Sequence, residues 1–180
     1  HRTRVRVSGL GDVLEGAWRP GHFEGVATVV LKLLDVVGPD TLWLGQKDAQ
    51  QARLLERMVA DLDLPVRVRR GPTVRERDGL ALSSRNAYLK GEERRQAVAL
   101  WRGLRAARAR LRAGERSTAR LRAAVRRVWR AYPLVREDYV AVVDADRLEP
   151  VTRVRGRVLV AVAARVGRAR LIDNLEWGGR

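Results

Sequence analysis

The stretch from residue 41 to 68 constrains the fold more than any other part of the 180-residue chain. Thr41-Leu42-Trp43-Leu44 is a short, wholly apolar run of the kind that suits a strand buried in a parallel sheet, and Gly45 ends it. Asp48 to Leu62 follows with Ala52, Leu55, Met58, Val59 and Leu62 at helical spacing, and Pro65-Val66-Arg67-Val68 opens a second strand. Strand, helix and strand joined by short connections form a βαβ unit, whose crossover is right-handed. Open sheets of this type bind ligands beyond the carboxyl ends of their strands, where Gly45 to Asp48 falls.

The flanks can be read in the same way. Alternation from Arg4 to Ser8 predicts a short strand, and a Gly-rich loop leads to a helix from His22 to Val37. Phe23, Val26, Val30, Leu33, Leu34 and Val37 recur there at helical spacing, and Gly38-Pro39 stops it. Past Thr73 the character changes, which predicts a division near residue 74. A polar loop from Arg75 to Asn86 leads into a helix over Glu92 to Ala113, with Ala97, Leu100, Trp101, Leu104 and Leu111 inward. Gly114 separates it from a second helix, capped by Ser117, with Leu121, Ala124, Val125, Val128 and Tyr132 inward. Tyr139 to Val143, Val158 to Ala163 and Arg170 to Asp173 read as three antiparallel strands. The expected class is α/β, with a smaller α+β part after residue 74.

Composition narrows the chemistry. There is no cysteine, so a disulfide scaffold, a thiolate zinc site and a cysteine nucleophile are all excluded. Histidine is limited to His1 and His22, so histidine-rich metal sites and Ser-His-Asp catalysis are poorly supplied, and no metal-ligating residue is assigned. The longest uninterrupted apolar run, Val158 to Ala164, is far short of a bilayer span, and no secretory signal opens the chain. A cytoplasmic protein is expected. The chain starts at His1 and its only methionine is Met58, which predicts the C-terminal portion of a longer protein.

The net charge of +16 is uneven, with fourteen arginines and one acid, Glu115, between Arg94 and Arg136. An Arg-rich module that neutralises nucleic-acid phosphates would look like this. However, 34 of the 37 basic residues are Arg, alongside abundant Ala, Val and Gly, which matches a GC-rich coding bias. The arginines also fall on the polar faces of helices, and Trp101 and Trp129 lie on apolar stripes and not among them. A solvated face is therefore the favoured reading, with no nucleic-acid and no membrane partner.

Three clusters carry candidate chemistry. Gly45-Gln46-Lys47-Asp48 sits at a strand-to-helix turn, where glycine allows close backbone approach, a helix N-terminus offers N–H groups and Lys47 adds a cation for phosphate. Gln51, one turn on, offers both donor and acceptor to a hydroxy acid. Spacing alone admits a surface lysine with an Asp N-cap equally well. The second cluster runs from Pro72 through Val74 to Glu76 and from Asp78 through Leu82 to Asn86, and in it the hydroxyls of Ser83 and Ser84 and the planar guanidinium of Arg85 can wrap phosphate oxygens. An ordinary helix-entry loop would read the same. The third is Arg19-Pro20-Gly21-His22, which can receive a carboxylate or simply cap a helix.

In this order and at these intervals, the clusters resemble the pantoate–β-alanine ligase family, over about Thr3 to Glu176. The resemblance includes Glu15-Gly16, Thr28-Val29-Val30, Met58-Val59 with Asp61-Leu62, Pro72 to Glu76, Asp78 to Asn86, and Leu171-Ile172-Asp173-Asn174. Ala49 replaces the usual aromatic, Leu44 the usual Phe, and Lys90 a common Ser, changes that touch packing more than chemistry.

The resemblance implies the C-terminal part of a Rossmann-like ATP- and pantoate-binding domain over residues 1–74. A small α+β domain with a three-stranded antiparallel sheet, over 75–180, closes over the active site. It implies a Mg²⁺- and ATP-dependent ligation: the pantoate carboxylate attacks the α-phosphate, pyrophosphate leaves, and the β-alanine amine displaces AMP from pantoyl adenylate to give pantothenate. Gly45, Gln46, Lys47, Asp48, Val74, Leu82, Ser83, Ser84 and Arg85 would belong to the ATP site. Lys47, Ser83, Ser84 and Arg85 would sit on the phosphates as the catalytic set, Gln51 on pantoate, and His22 and Arg19 near a substrate carboxylate. A homodimer is implied for the full-length enzyme. The family also carries a His-x-Gly-His signature and a second pantoate-binding glutamine in its N-terminal half, and nothing in this chain matches them. The chain alone is therefore expected to lack the parent activity.

Overall fold

The computed structural model describes residues 2–178, so His1 lies outside the described residues. The chain forms two compact units, His1–Pro72 and Thr73–Arg180.

In the first unit a short helix α1 (Glu15–Trp18) precedes α2 (His22–Val37). Strand β1 (Thr41–Gly45) follows, then a 3₁₀ turn over Gln46–Asp48, helix α3 (Ala49–Asp61) and strand β2 (Arg67–Gly71). The two strands are parallel, with Thr41 opposite Arg67 and Gly45 opposite Gly71, as the βαβ pattern predicts. Helix α2 has its expected bounds. Gly38 stops it in the left-handed region (φ 58°), its N–H donating to Leu34 O at 2.9 Å.

One apolar cluster holds this unit together. Phe23, Ala27 and Leu34 of α2 meet Leu54, Leu55, Met58 and Val59 of α3, and Leu42, Leu44, Val66 and Val68 pack against them. Because strand side chains alternate, only one face of β1 joins this cluster, and Trp43 on the other face is 69% exposed. The expectation of a strand buried on both faces is therefore corrected within this unit. Leu62, expected inward, is exposed too: α3 ends at Asp61, and Leu62 is its C-cap, with dihedrals that leave the helix (φ −101°, ψ 8°). Arg4 to Ser8 forms no strand. The Val5 N–H donates to the Thr28 side chain on α2 (2.9 Å) instead of to a neighbouring strand.

In the second unit a hairpin-like loop and a 3₁₀ turn over Ser84–Tyr88 lead to α4 (Gly91–Ala97), α5 (Ala99–Arg112) and α6 (Thr118–Trp129). Three antiparallel strands close it: β3 (Val135–Asp144), β4 (Val158–Val166) and β5 (Ala169–Trp177), in that spatial order. The single helix expected over 92–113 is two. Val98 keeps helical dihedrals (φ −62°, ψ −15°), but the ladder is interrupted there, next to Gln96, whose side-chain carbonyl oxygen accepts the Leu134 N–H at 2.8 Å. Ser117 caps α6 as expected, accepting from the Arg120 N–H. Leu100, Leu104 and Leu111 of α5 and Leu121 and Val125 of α6 are buried against Val158, Val160 and Val162 of β4, the most enclosed strand of this unit. Trp129 is buried and donates its indole N–H to Ala99 O at 2.9 Å, while Trp101 is only partly buried.

Candidate active site

Each unit presents its own set of the residues singled out from sequence. In the first, β1 ends at Gly45 and the chain turns through Gln46-Lys47-Asp48 into α3, so the cluster lies at the carboxyl end of a parallel strand. The Lys47 ammonium is 3.7 Å from Asp48 Oδ1, and its side chain is only 16% exposed. Asp48 makes no capping bond to α3, which disposes of the plain N-cap reading. Its carboxylate instead lies beside Lys47. Gln51 stands in the first turn of α3, partly buried.

The adjacent Gln50 has a different task that its sequence position did not betray. It is buried, accepts the Glu15 N–H (3.0 Å), and donates to Leu10 O and Val13 O (both 2.7 Å). One amide thus pins the loop before α1 to α3. Arg19 and His22 contact each other at 2.8 Å, at the N-terminus of α2. A cavity of about 410 Å³ beside that turn is lined by Gly16, Pro20, Gly21, Phe23 and other residues, but by neither Arg19 nor His22. A second cavity of about 500 Å³, lined by Asp35, Pro39, Leu64 and Pro65 among others, opens at the end of the sheet opposite Gly45.

In the second unit, residues 74–82 fold back on themselves. The Leu82 N–H donates to Val74 O (2.9 Å), the Glu76 N–H to Leu80 O (2.8 Å), and Arg75 bridges Ala81. Val74 and Leu82 are brought side by side and exposed, forming an apolar ledge. Ser83 starts the 3₁₀ turn, its Oγ accepting the Arg85 N–H at 3.2 Å, which leaves the hydroxyl proton available to donate. Ser84 and Arg85 are exposed, and the Arg85 backbone N–H is held by Ser83 Oγ.

A frame of ion pairs that sequence reading missed supports this loop. Arg94 of α4 reaches Glu76 (2.6 Å) and Asp78 (2.7 Å), and Asn86 donates to Glu76 (2.9 Å) and Ala81 O (3.1 Å). The hydrogen bond from Arg94 holds the Asp78 carboxyl below the usual carboxylate range, with burial opposing it, and the same bond raises Arg94. Arg75 pairs with Asp173 of β5, and its guanidinium lies 3.7 Å from the centre of the Trp101 ring. Nothing in local spacing announces contacts between residues this far apart in sequence.

The model of the pantoate-beta-alanine ligase family matches residues 1–176. The chain belongs to the pantoate-beta-alanine ligase family. The pantothenate synthetase of Moorella thermoacetica is 53% identical over 175 residues, which cover 97% of this chain and 62% of the relative. The crystal structure of pantothenate synthetase from Thermus thermophilus matches with a TM-score of 0.94 at 47% identity, over 98% of this chain and 64% of that one. A pantoate-beta-alanine ligase from Francisella tularensis, complexed with beta-gamma ATP and beta-alanine, matches with a TM-score of 0.70 at 29% identity, over 96% and 57%. The chain therefore spans 57% to 64% of the length of these three ligases, and within that span the family resemblance and the α/β class read from the sequence are borne out.

Proposed function

We propose that the protein joins pantoate to β-alanine at the expense of ATP, through pantoyl adenylate, and that both units of this chain supply residues to that reaction. The observation that carries the reading is the family match over residues 1–176, with the phosphate-type clusters intact within it. The Francisella relative, complexed with beta-gamma ATP and beta-alanine, supports ATP and β-alanine as substrates.

The first step develops negative charge around the α-phosphate as pyrophosphate departs, so positioned cations and N–H or O–H donors lower its barrier. In the first unit Lys47 supplies a point charge, Gly45 to Asp48 supply backbone at the head of α3, and Gln51 orients the pantoate hydroxyls. In the second, Ser83 and Ser84 donate hydroxyl protons and Arg85 spans two phosphate oxygens with its fork. The exposed Val74 and Leu82 suit the apolar face of adenine. Arg19 and His22 are the candidate partners of a substrate carboxylate. In the second step the deprotonated β-alanine amine attacks the acyl carbon, AMP leaves with the electron pair of the acyl–phosphate bond, and the amine's surplus proton passes to solvent.

Magnesium enters with the nucleotide. Among the described residues no three acidic or histidine side chains cluster to hold a metal. Mg²⁺ that keeps its waters and rides on the phosphates suits such a site, and no residue here is assigned to it. No helix among the described residues is long and apolar enough to cross a membrane. The family resemblance alone supports a cytoplasmic homodimer, and it also supports the proposal that this chain by itself does not complete the reaction.

The test is ATP–pyrophosphate exchange with the full gene product. Exchange should require pantoate, and adding β-alanine should release AMP with pantothenate in equal amounts. Exchange that proceeds without pantoate, or with an unrelated acid equally well, would refute the assignment.

A further inference from the structure

The side chain of Arg75 gathers contacts from three places in the second unit. Its fork donates to both oxygens of Asp173 (2.6 and 2.9 Å), and Nη1 also donates to Gly79 O (3.0 Å). Its guanidinium stacks on the Trp101 indole of α5 at 3.7 Å. Asp173 is 3% exposed, and its Oδ1 also accepts the Asn174 N–H at 2.8 Å. Gly79 lies so close that a Cβ there would fall 2.0 Å from Trp101 Cδ1.

A buried ion pair is a poor source of net stability, because desolvation cancels most of the attraction. What a bidentate fork does supply is orientation, since two parallel hydrogen bonds and a stacked plane leave the guanidinium one pose. That pose is transmitted outward. Arg75 bridges Ala81 across the hairpin, and the Ala81 carbonyl receives the Asn86 amide, which ends the Ser83–Asn86 turn. Along the hairpin Arg75 and Ala81 point in while Val74 and Leu82 point out.

We propose that Arg75, clamped between Asp173 and Trp101, is the positioning residue that sets the shape of the Ser83–Arg85 loop for its nucleotide. The inference rests on the ATP reading of that loop given above. Arg75 itself touches no phosphate. It acts through the backbone of residues 79–86, and a displaced loop misplaces two hydroxyls and a guanidinium together.

The test uses Asp173→Asn in the full gene product, which keeps the shape of the side chain and removes its charge. In pantoate-dependent ATP–pyrophosphate exchange, KM for ATP should rise about 10- to 100-fold, the scale set by misplacement of a binding group, while KM for pantoate stays unchanged. Amide exchange at Glu76 and Leu82 should accelerate, and amides of β3 and β4 should keep their protection. Arg75→Lys retains charge without the fork and should behave alike; wild-type KM for ATP in that variant would overturn the clamp. Arg85→Ala in the same assay tests the ATP reading separately. If it abolishes exchange while Asp173→Asn leaves KM for ATP unchanged, the clamp is wrong and the reading stands. If Arg85→Ala exchanges normally, the reading itself fails. Loss of β3 and β4 protection in both clamp variants would make the pair a support of the whole unit and overturn the positioning role.

Discussion

Gly16 shows how little room the first unit leaves around its candidate site. A Cβ there would meet Gly11 O at 1.9 Å and Phe23 Cδ2 at 3.3 Å, so the backbone, not a flexible side chain, would have to yield. Gly16→Ala should lower the urea-unfolding free energy of this unit by about 1–3 kcal/mol, the cost of overpacking a filled site. At Lys47 the expected loss is catalytic. Lys47→Ala should slow adenylation by about 2–4 kcal/mol, as for one preorganised electrostatic contact. Its fold should survive, because Lys47 lies in the turn after β1 and outside the apolar cluster of this unit. Near-normal pyrophosphate release would remove Lys47 from the phosphates. Lys47, Ser83 and Arg85 could be singled out from sequence because a turn gathers contiguous polar residues, and the structure places Lys47 and Arg85 in 3₁₀ turns with Ser83 at the start of the second. Gln50 was not, since its role comes from carbonyls about forty positions upstream, and neither was Asp173, whose partner lies 98 residues away.

At the scale of elements, the helices over 22–37 and 49–61 were read almost to the residue, whereas the one expected over 92–113 is two. His22–Val37 has its expected bounds because a glycine able to enter the left-handed region follows it. The failures share a cause: local pattern does not say which face of an element finds a neighbour. Thr41 to Leu44 is uniformly apolar, yet Trp43 points away from the cluster formed by α2 and α3. The loop from Glu76 to Arg94 carries a pH signature. Arg94 lowers the Asp78 carboxyl from its ordinary 3.8, so this pair contributes stability that is complete above 3.8 and lost as pH falls through the lower folded value. Acid titration of wild type and Asp78→Asn should show the wild type more stable at neutral pH and the two converging in strong acid. A gap that persists undiminished at the lowest pH would show that the lowered carboxyl is not its source.

For the molecule as a whole, the charge of +16 is the property a cell would sense first. Several helix arginines are occupied at home: Arg94 with Glu76 and Asp78, Arg95 with Glu92, Arg126 with Glu137. Binding to DNA or RNA should accordingly be weak, indifferent to sequence and gone at moderate salt, as filter-binding titrations would show. Tight, sequence-selective binding at physiological salt would overturn the ligase-only reading. The bond between Arg75 and Asp173 also bears on how the protein is made. It joins the opening of the second unit to its final strand, and a ribosome delivers those two ends seconds apart. Until the codon for Asp173 has been read, a nascent chain holds Arg75 without its carboxylate and the serine loop without its mould. The Ser83–Asn86 turn thus gains its support from Arg75 and Asp173 only once the final strand of the unit has been made.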